Sequence, residues 1–296
     1  MEGNIQNELL SLTNDYVFRK IFGEKNVDSL ADFLSAVLDM PEGELAELVV
    51  DDPNLYPERK GGKAGELDIR VRTKSGNILN IEIQINPEHS FGKRIAYYNS
   101  RIFSGQLARG DDYSILHRTV SVVIADFLLI AENNDCANRF QWYNIANGTL
   151  LTDVQEINTL ELTKLSGTDD GTKLWPWLRL LKLKKEDEMV EVASENIAMK
   201  NVIVTLREMS ADEAERRLAE AREKEARDRR SAYLSGETAG EARGIEIGEA
   251  RGIEVGKARG KMLEKQENAR RMKANGYPVS EIADITGLSH EEIESI

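Results

Sequence analysis

The chain has 296 residues, 41% hydrophobic and 31% charged, enough for one sizeable core with appendages. Its formal net charge of −13 counts against a surface coated with cations for non-specific nucleic-acid binding. A local basic patch remains compatible with that total, because exposed charges are screened beyond about 10 Å at 0.1 M salt.

No apolar run approaches the ~20 residues that a membrane span needs. The first residues, MEGNIQNELL, lack the basic and apolar regions of a signal peptide, so the expected location is cytoplasmic. Cys136 is alone, which leaves no disulfide framework and no cysteine-based zinc site. His89, His117 and His290 are too scattered in the sequence to suggest a metal cluster.

Residues 13–40 read as helical, with Thr13 or Asn14 as the first cap. Val17, Phe18, Ile21 and Phe22 form an apolar stripe that Gly23 interrupts. Leu30, Phe33, Leu34, Val37 and Leu38 follow at helical spacing, and Pro41 stops the run. Asp15 falls in the first turn, where a negative charge is favoured; the other reading turns it toward a metal site. Residues 45–50 read as a strand, and 51–65 as a polar loop. Lys60, Gly61, Gly62 and Lys63 in that loop are a solvated turn or a phosphate contact.

Residues 66–84 form the most informative stretch. Leu67, Ile69 and Val71 alternate with polar residues. Lys74, Ser75, Gly76 and Asn77 form a turn, and Leu79, Ile81, Ile83 and Ile85 alternate again. Successive strand side chains point to opposite faces, so one face of this hairpin is apolar and the other carries Asp68, Glu82 and Gln84. Two readings of the polar face follow. It is an ordinary exposed face, which Arg70 and Arg72 also fit. Or its two carboxylates converge, and neighbouring carboxylates call for a proton or a cation between them. Oxygen-only ligands suit Mg²⁺ or Mn²⁺.

Residues 91–107 read as a helix with Ile95, Tyr98, Ile102 and Phe103 buried, and with Lys93, Arg94, Arg101 and Arg109 giving it a basic face. That face is either solvated or placed for a phosphate backbone. Tyr97 and Tyr98 read as core or rim. The run TVSVVIADF at 119–127 reads as a strand buried on both faces. Strands at 140–145 and 149–154 flank the hairpin turn Asn147-Gly148. Asp153, Glu156 and Glu161 show no metal-ligand spacing. Residues 173–209 turn helical, with Pro176 in a first turn and Trp175, Trp177, Leu178 and Leu181 packed on the sheet. The mixed order of strands and helices predicts an α/β fold.

Residues 211–230 are dense in Glu, Arg and Ala, a solvated or self-associating helix. From Gly236 to Gly260 a glycine recurs every fourth residue. Each costs a helix about 1 kcal/mol relative to Ala, which disfavours an isolated helix. The segment is then a flexible linker, or an oligomerisation helix whose small residues let two helices approach closely. Ile245, Ile247, Ile253 and Val255 favour the second. Residues 269–296 resemble a helix-turn-helix, with Ser280 and Ser289 as caps and Met272, Ile282, Ile285, Leu288 and Ile293 as a small core. Glu291, Glu292 and Glu294 on the last helix would meet phosphates with repulsion, so an interaction or capping module is favoured over base readout.

Asp68 followed by Glu82-Ile83-Gln84 resembles the D…(D/E)-x-K core of the PD-(D/E)-x-K nuclease superfamily, with Gln in the Lys position. The run Asn14-Asp15-Tyr16-Val17-Phe18-Arg19-Lys20-Ile21-Phe22-Gly23 resembles the N-terminal signature of the recombination-promoting nuclease / putative transposase branch. So do Phe91, Arg94, Tyr97, Tyr98, Ser100, Gln106, Leu107, Gly110 and Tyr113, and the runs Leu151-Thr152-Asp153 and Leu160-Glu161-Leu162. The resemblance covers roughly residues 11–180. It implies a restriction-endonuclease-like mixed-sheet core with a helical C-terminal extension. It also implies a Mg²⁺- or Mn²⁺-dependent DNA endonuclease associated with recombination or defence against foreign DNA. Asp68, Glu82 and the Ile83 carbonyl would hold the metal, Gln84 would orient water or a phosphate oxygen, and Asp15, Glu66 and Arg94 are accessory candidates. Gln84 brings no positive charge, so a lower rate or greater reliance on the metal is implied. The other class of reading is an inactive, nuclease-derived DNA-binding or assembly protein. The expected divisions are a nuclease domain at 1–185, a charged helical region at 186–235, the glycine repeat at 236–262 and a small module at 263–296. DNA and a second copy of the chain are the expected partners.

Overall fold

A computed structural model describes residues 8–41, 43–55, 65–66 and 68–296; of Leu55, Gly65 and Glu66 it describes the backbone only. The basic turn expected at Lys60–Lys63, and Leu67, lie outside the described residues. The described chain forms two units, Met1–Ser231 and Ala232–Ile296.

In the first unit, Asn14 caps α1 (Asp15–Phe18), accepting the backbone N–H groups of Tyr16 and Val17. A π-helical run, Arg19–Lys25, carries the chain on to α2 (Val27–Val37). Six strands make one mixed sheet: β1 (Val49–Asp51), β4 (Ile69–Arg72), β5 (Ile78–Gln84), β6 (Thr119–Ala125), β7 (Ala137–Tyr143) and β8 (Leu150–Glu161), in the order β1-β4-β5-β6-β8-β7. A two-stranded ribbon, β2 (Asn54–Leu55) and β3 (Gly65–Glu66), stands apart from it. The centre of the sheet, β5-β6-β8, is parallel, and the flanking pairs are antiparallel. Parallel neighbours need a crossover. Between β5 and β6 it is α3 (Phe91–Ser104).

Both faces of the central strands are covered. Leu79, Ile81 and Ile83 of β5 join Val120, Val122 and Ile124 of β6 in the main core, together with residues of α1, α2, α4 (Leu174–Lys182), α5 (Glu186–Val192) and α6 (Ile197–Ala211). Trp177 sits there against Phe22 and Phe33, with ring centroids 6.1 and 5.7 Å away. Residues 186–211 thus share the core of the sheet, through Met189, Met199 and Leu206. The opposite face lies under α3, where Ile78 meets Tyr98 and Ile102, and Val123 meets Phe91 and Ile95.

Several elements differ from the expectation. The strand expected from residue 66 is broken. Glu66 belongs to the separate ribbon, Asp68 sits in a bend, and β4 starts at Ile69. The first strand is Val49–Asp51 rather than 45–50. Trp175 stays half-buried, its indole N–H donating to the Ser166 carbonyl at 3.0 Å, and Phe103 is half-buried.

The long helix α7 (Glu213–Ala274) begins in the first unit. There Asn14 Nδ2 donates to the Ala219 carbonyl at 2.9 Å and the Tyr16 hydroxyl to Glu215 at 2.5 Å. Burial and that carboxylate push Tyr16 up to about 12. The glycine repeat is helical, not a linker. In the second unit, α8 (Val279–Thr286) and α9 (His290–Glu294) pack Ile282, Leu288 and Ile293 on Ala269. Ser289 caps α9 in a capping box with Glu292. Ser280 does not cap α8, whose N-cap is Pro278, and Ile285 is exposed rather than in the small core. Among the described residues no helix is long and apolar enough to cross a membrane.

Candidate active site

The register Ile69↔Ile81 places Asp68 opposite Glu82 at the end of the β4–β5 hairpin. Opposed residues share a face of an antiparallel pair. That face is the one under α3, so the polar side of the hairpin is buried rather than solvated. Glu82 is only 9% exposed. A buried carboxylate needs a charged or hydrogen-bonded partner. Glu82 finds one in Arg94 of α3, whose guanidinium also binds Glu88 at 2.7 Å and stacks 4.8 Å from the Phe91 ring.

Asp68 is held differently. Its Oδ2 accepts the Ile83 N–H at 2.7 Å, which ties the carboxylate to the carboxyl end of β5. Burial pushes its pKa from 3.8 up to about 7, the Ile83 hydrogen bond pulls it down, and the carboxylates of Glu82 and Asp15 push it up again, with Arg19 opposing them. Asp68, Glu82 and Asp15 are therefore electrically coupled, and a carboxylic acid raised in this way beside other carboxylates marks a functional-site candidate.

Gln84, two residues after Glu82, lines a narrow pocket of about 50 Å³ with Asp15, Ile83, Asn86 and the α7 residues Arg222 and Arg229. Arg229 pairs with Glu225. Next to the carboxyl end of β6, a second pocket of about 230 Å³ is lined by Asp126, Lys182, Lys184 and Arg230. Burial raises Asp126, and Lys182 and Arg230 oppose the rise. Ligands of open α/β sheets bind outside the carboxyl ends of parallel strands, and this is that end.

The structure thus brings together Asp68, Glu82, Arg94 and the Ile83 backbone, and sets Asp15 and Gln84 at the adjoining pocket. The backbone of Glu66 belongs to the separate ribbon, and its side chain is outside the described residues. Sequence reading missed Arg19, Glu88, Arg222 and Arg229. Arg19 is one helical turn beyond Asp15 and was findable from spacing. Arg222 and Arg229 line the same pocket as Gln84 only through the tertiary docking of α7, which leaves no local signal.

A metal fits the donor set. Asp68 and Glu82 offer hard oxygens, and a main-chain carbonyl lies between Glu82 and Gln84. Among the described residues no group of three His, Cys, Asp or Glu is arranged to hold a metal ion. The remaining positions would fall to carbonyl, water and substrate oxygens, as Mg²⁺ accepts.

The mixed six-stranded sheet with helices is consistent with the α/β fold of the PD-(D/E)XK nucleases. Residues 12–236 match the family model described as PD-(D/E)XK nuclease family transposase, and the chain belongs to that family. Nucleases of this kind generally use divalent metals and act on DNA. Neither the curated proteins nor the solved structures contain a match to the chain.

Proposed function

We propose that the chain is a divalent-metal-dependent DNA endonuclease, with Asp68, Glu82 and the Ile83 carbonyl holding Mg²⁺ or Mn²⁺. The observation that carries this reading is the convergence of Asp68 and Glu82 on one buried face at the carboxyl end of β5, with Asp68 raised to about 7. When bound, such a metal activates water and stabilises charge on the phosphoryl oxygens. Asp68 has to give up its proton to serve as a ligand, so binding is favoured as pH rises through about 7. Arg94 holds Glu82 in position from α3 and shares that carboxylate with the metal. Gln84 orients the attacking water or a phosphate oxygen through its amide. The second unit serves assembly of several copies, a reading supported by the exposure of Ile245, Ile247, Ile253 and Val255 at 55–66%.

The pairing of Glu82 with Arg94, together with the neutral Gln84, favours a second reading, an inactive DNA-binding or assembly protein. One experiment separates the two. Supercoiled plasmid is incubated with Mg²⁺ or Mn²⁺ and wild type, Asp68→Ala or Glu82→Ala. The nuclease reading expects nicking or linearisation that falls at least about 100-fold in either variant and stops with chelator. Absence of cleavage by wild type, or equal cleavage by all three, supports the second reading.

A further inference from the structure

The sheet face that carries Glu82 runs on through Asn80 to Ile78, at the other end of β5. Past the edge of α3 a cavity of about 630 Å³ opens on this face. Arg70 and Arg72 of β4, Arg101 in the last turn of α3, Gln106 and His117 line it beside Ile78. Among the described residues no carboxylate lines it, in a chain of net charge −13. Asp51 lies behind it, 2.9 Å from Arg72 and 3.8 Å from Arg70 Nε. That Nε is buried and has no hydrogen-bond partner.

The cavity is a built feature. Gln106 clamps the segment before β6: its Nε2 donates to the His117 carbonyl and to Thr119 Oγ1, each at 3.0 Å, and its Oε1 accepts the His117 N–H at 2.9 Å. The His117 ring lies over Gly76, where an added Cβ would come within 2.7 Å of it. Gly76 also has φ +93°, so the turn and the ring above it both require glycine.

Guanidinium groups match phosphate oxygens in geometry as well as charge. The cavity volume suits a nucleotide-sized group rather than one small anion. From Ile78 to Glu82 is four strand residues, or about 13 Å. That equals roughly four base-pair rises along a duplex at about 3.4 Å each. We infer that this cavity is a backbone subsite for the DNA duplex that enters the candidate active site, and that Arg70 and Arg101 hold a phosphate a few base pairs from the scissile bond. The inference rests on the nuclease reading above.

The test measures binding and cleavage separately. Anisotropy of a short fluorescein-labelled duplex is followed in chelator between about 50 and 200 mM salt, for wild type, Arg70→Gln, Arg101→Gln and the double variant. The double variant is expected to bind at least about tenfold more weakly and to lower the slope of log K against log salt by about one. Plasmid cleavage by it should show raised KM with kcat held. Unchanged affinity and slope, with wild type still cutting plasmid, would overturn the subsite and leave the nuclease intact. Weakened binding in the variants without cleavage by wild type would sink the nuclease reading and keep a DNA-backbone site. Inorganic phosphate is the third arm. If it raises the melting temperature of wild type but not of the double variant, while duplex affinity is unchanged, the cavity holds a free anion and the inference fails. Should Arg70→Gln unfold, Arg101→Gln alone carries the comparison, with Arg101→Lys expected to restore the salt slope.

Discussion

At Asp68 a function-bearing group works against stability. Burial lifts its pKa from 3.8 to about 7, so between those values the folded chain keeps a proton that the unfolded chain has released. Where the unfolded state binds fewer protons, stability falls as pH rises. Asp68 therefore favours the fold fully below about pH 4, and that contribution is lost as pH climbs to about 7; the loss amounts to a few kcal/mol. Asn in its place keeps an oxygen for the Ile83 N–H and has no proton to lose. In chelator, Asp68→Asn is expected to melt roughly 5 °C above wild type at pH 8, with the gap closing toward pH 4. Parallel melting curves across that range would mean that Asp68 is not raised. The sequence made Asp68, Glu82 and Gln84 legible because strand alternation alone places them on one side. It named Arg94 as an accessory candidate, but not its pairing with Glu82, because that contact joins a strand to the helix that crosses over it. Buried Glu156 was likewise unreadable: its partners Arg118 and Arg139 come from β-sheet neighbours.

At the level of elements, period was read well and cover was not. The apolar run at 119–127 shows a strand buried on both sides, and every residue of β6 is buried. The β5 stretch alternates and so reads as half-exposed, yet it too is buried on both sides through Ile83. The polar positions Asn80 and Glu82 lie under α3, and only the chain fold tells which strand a crossover helix will cover. The glycine repeat is the opposite case, where local propensity argued against the helix that forms. A Cβ added at any of these glycines meets nothing within 4 Å, so within one chain nothing demands glycine there. Four-residue spacing drifts by about 40° per repeat on a helix of 3.6 residues per turn, which suits a short, close crossing with another helix. The variant with Gly240, Gly244, Gly248 and Gly252 all changed to Ala is expected to gain on the order of 1 kcal/mol of helix stability per site, seen as stronger hydrogen-exchange protection. Its mass by light scattering should nevertheless fall, because the methyl groups hold the neighbouring helix away. Greater protection with unchanged mass would remove the glycine stripe from the assembly contact.

On the scale of the whole molecule, the two units divide the apolar core cleanly. The main core runs in sequence from Leu9 to Ala219, and the second unit's core comprises Ala269, Ile282, Leu288 and Ile293. Between Ala219 and Ala269 no residue is buried. Hydrophobic burial is the dominant favourable contribution to folding, so a chain ended after Ser231 loses none of the first unit's share of it. The α7 contacts to Asn14 and Tyr16 are made by Ala219 and Glu215 and survive the cut. All proposed metal ligands and all residues of the Arg70–Arg101 cavity also lie before it. The shortened chain is expected to melt within about 4 °C of the full chain's first transition and to cut plasmid at a comparable rate per chain. A melting temperature lowered well beyond that would show that the second unit stabilises the first. Normal melting with cleavage abolished would mean that the active species is an assembly of several copies, whereas faster cleavage would show that the second unit restrains the site.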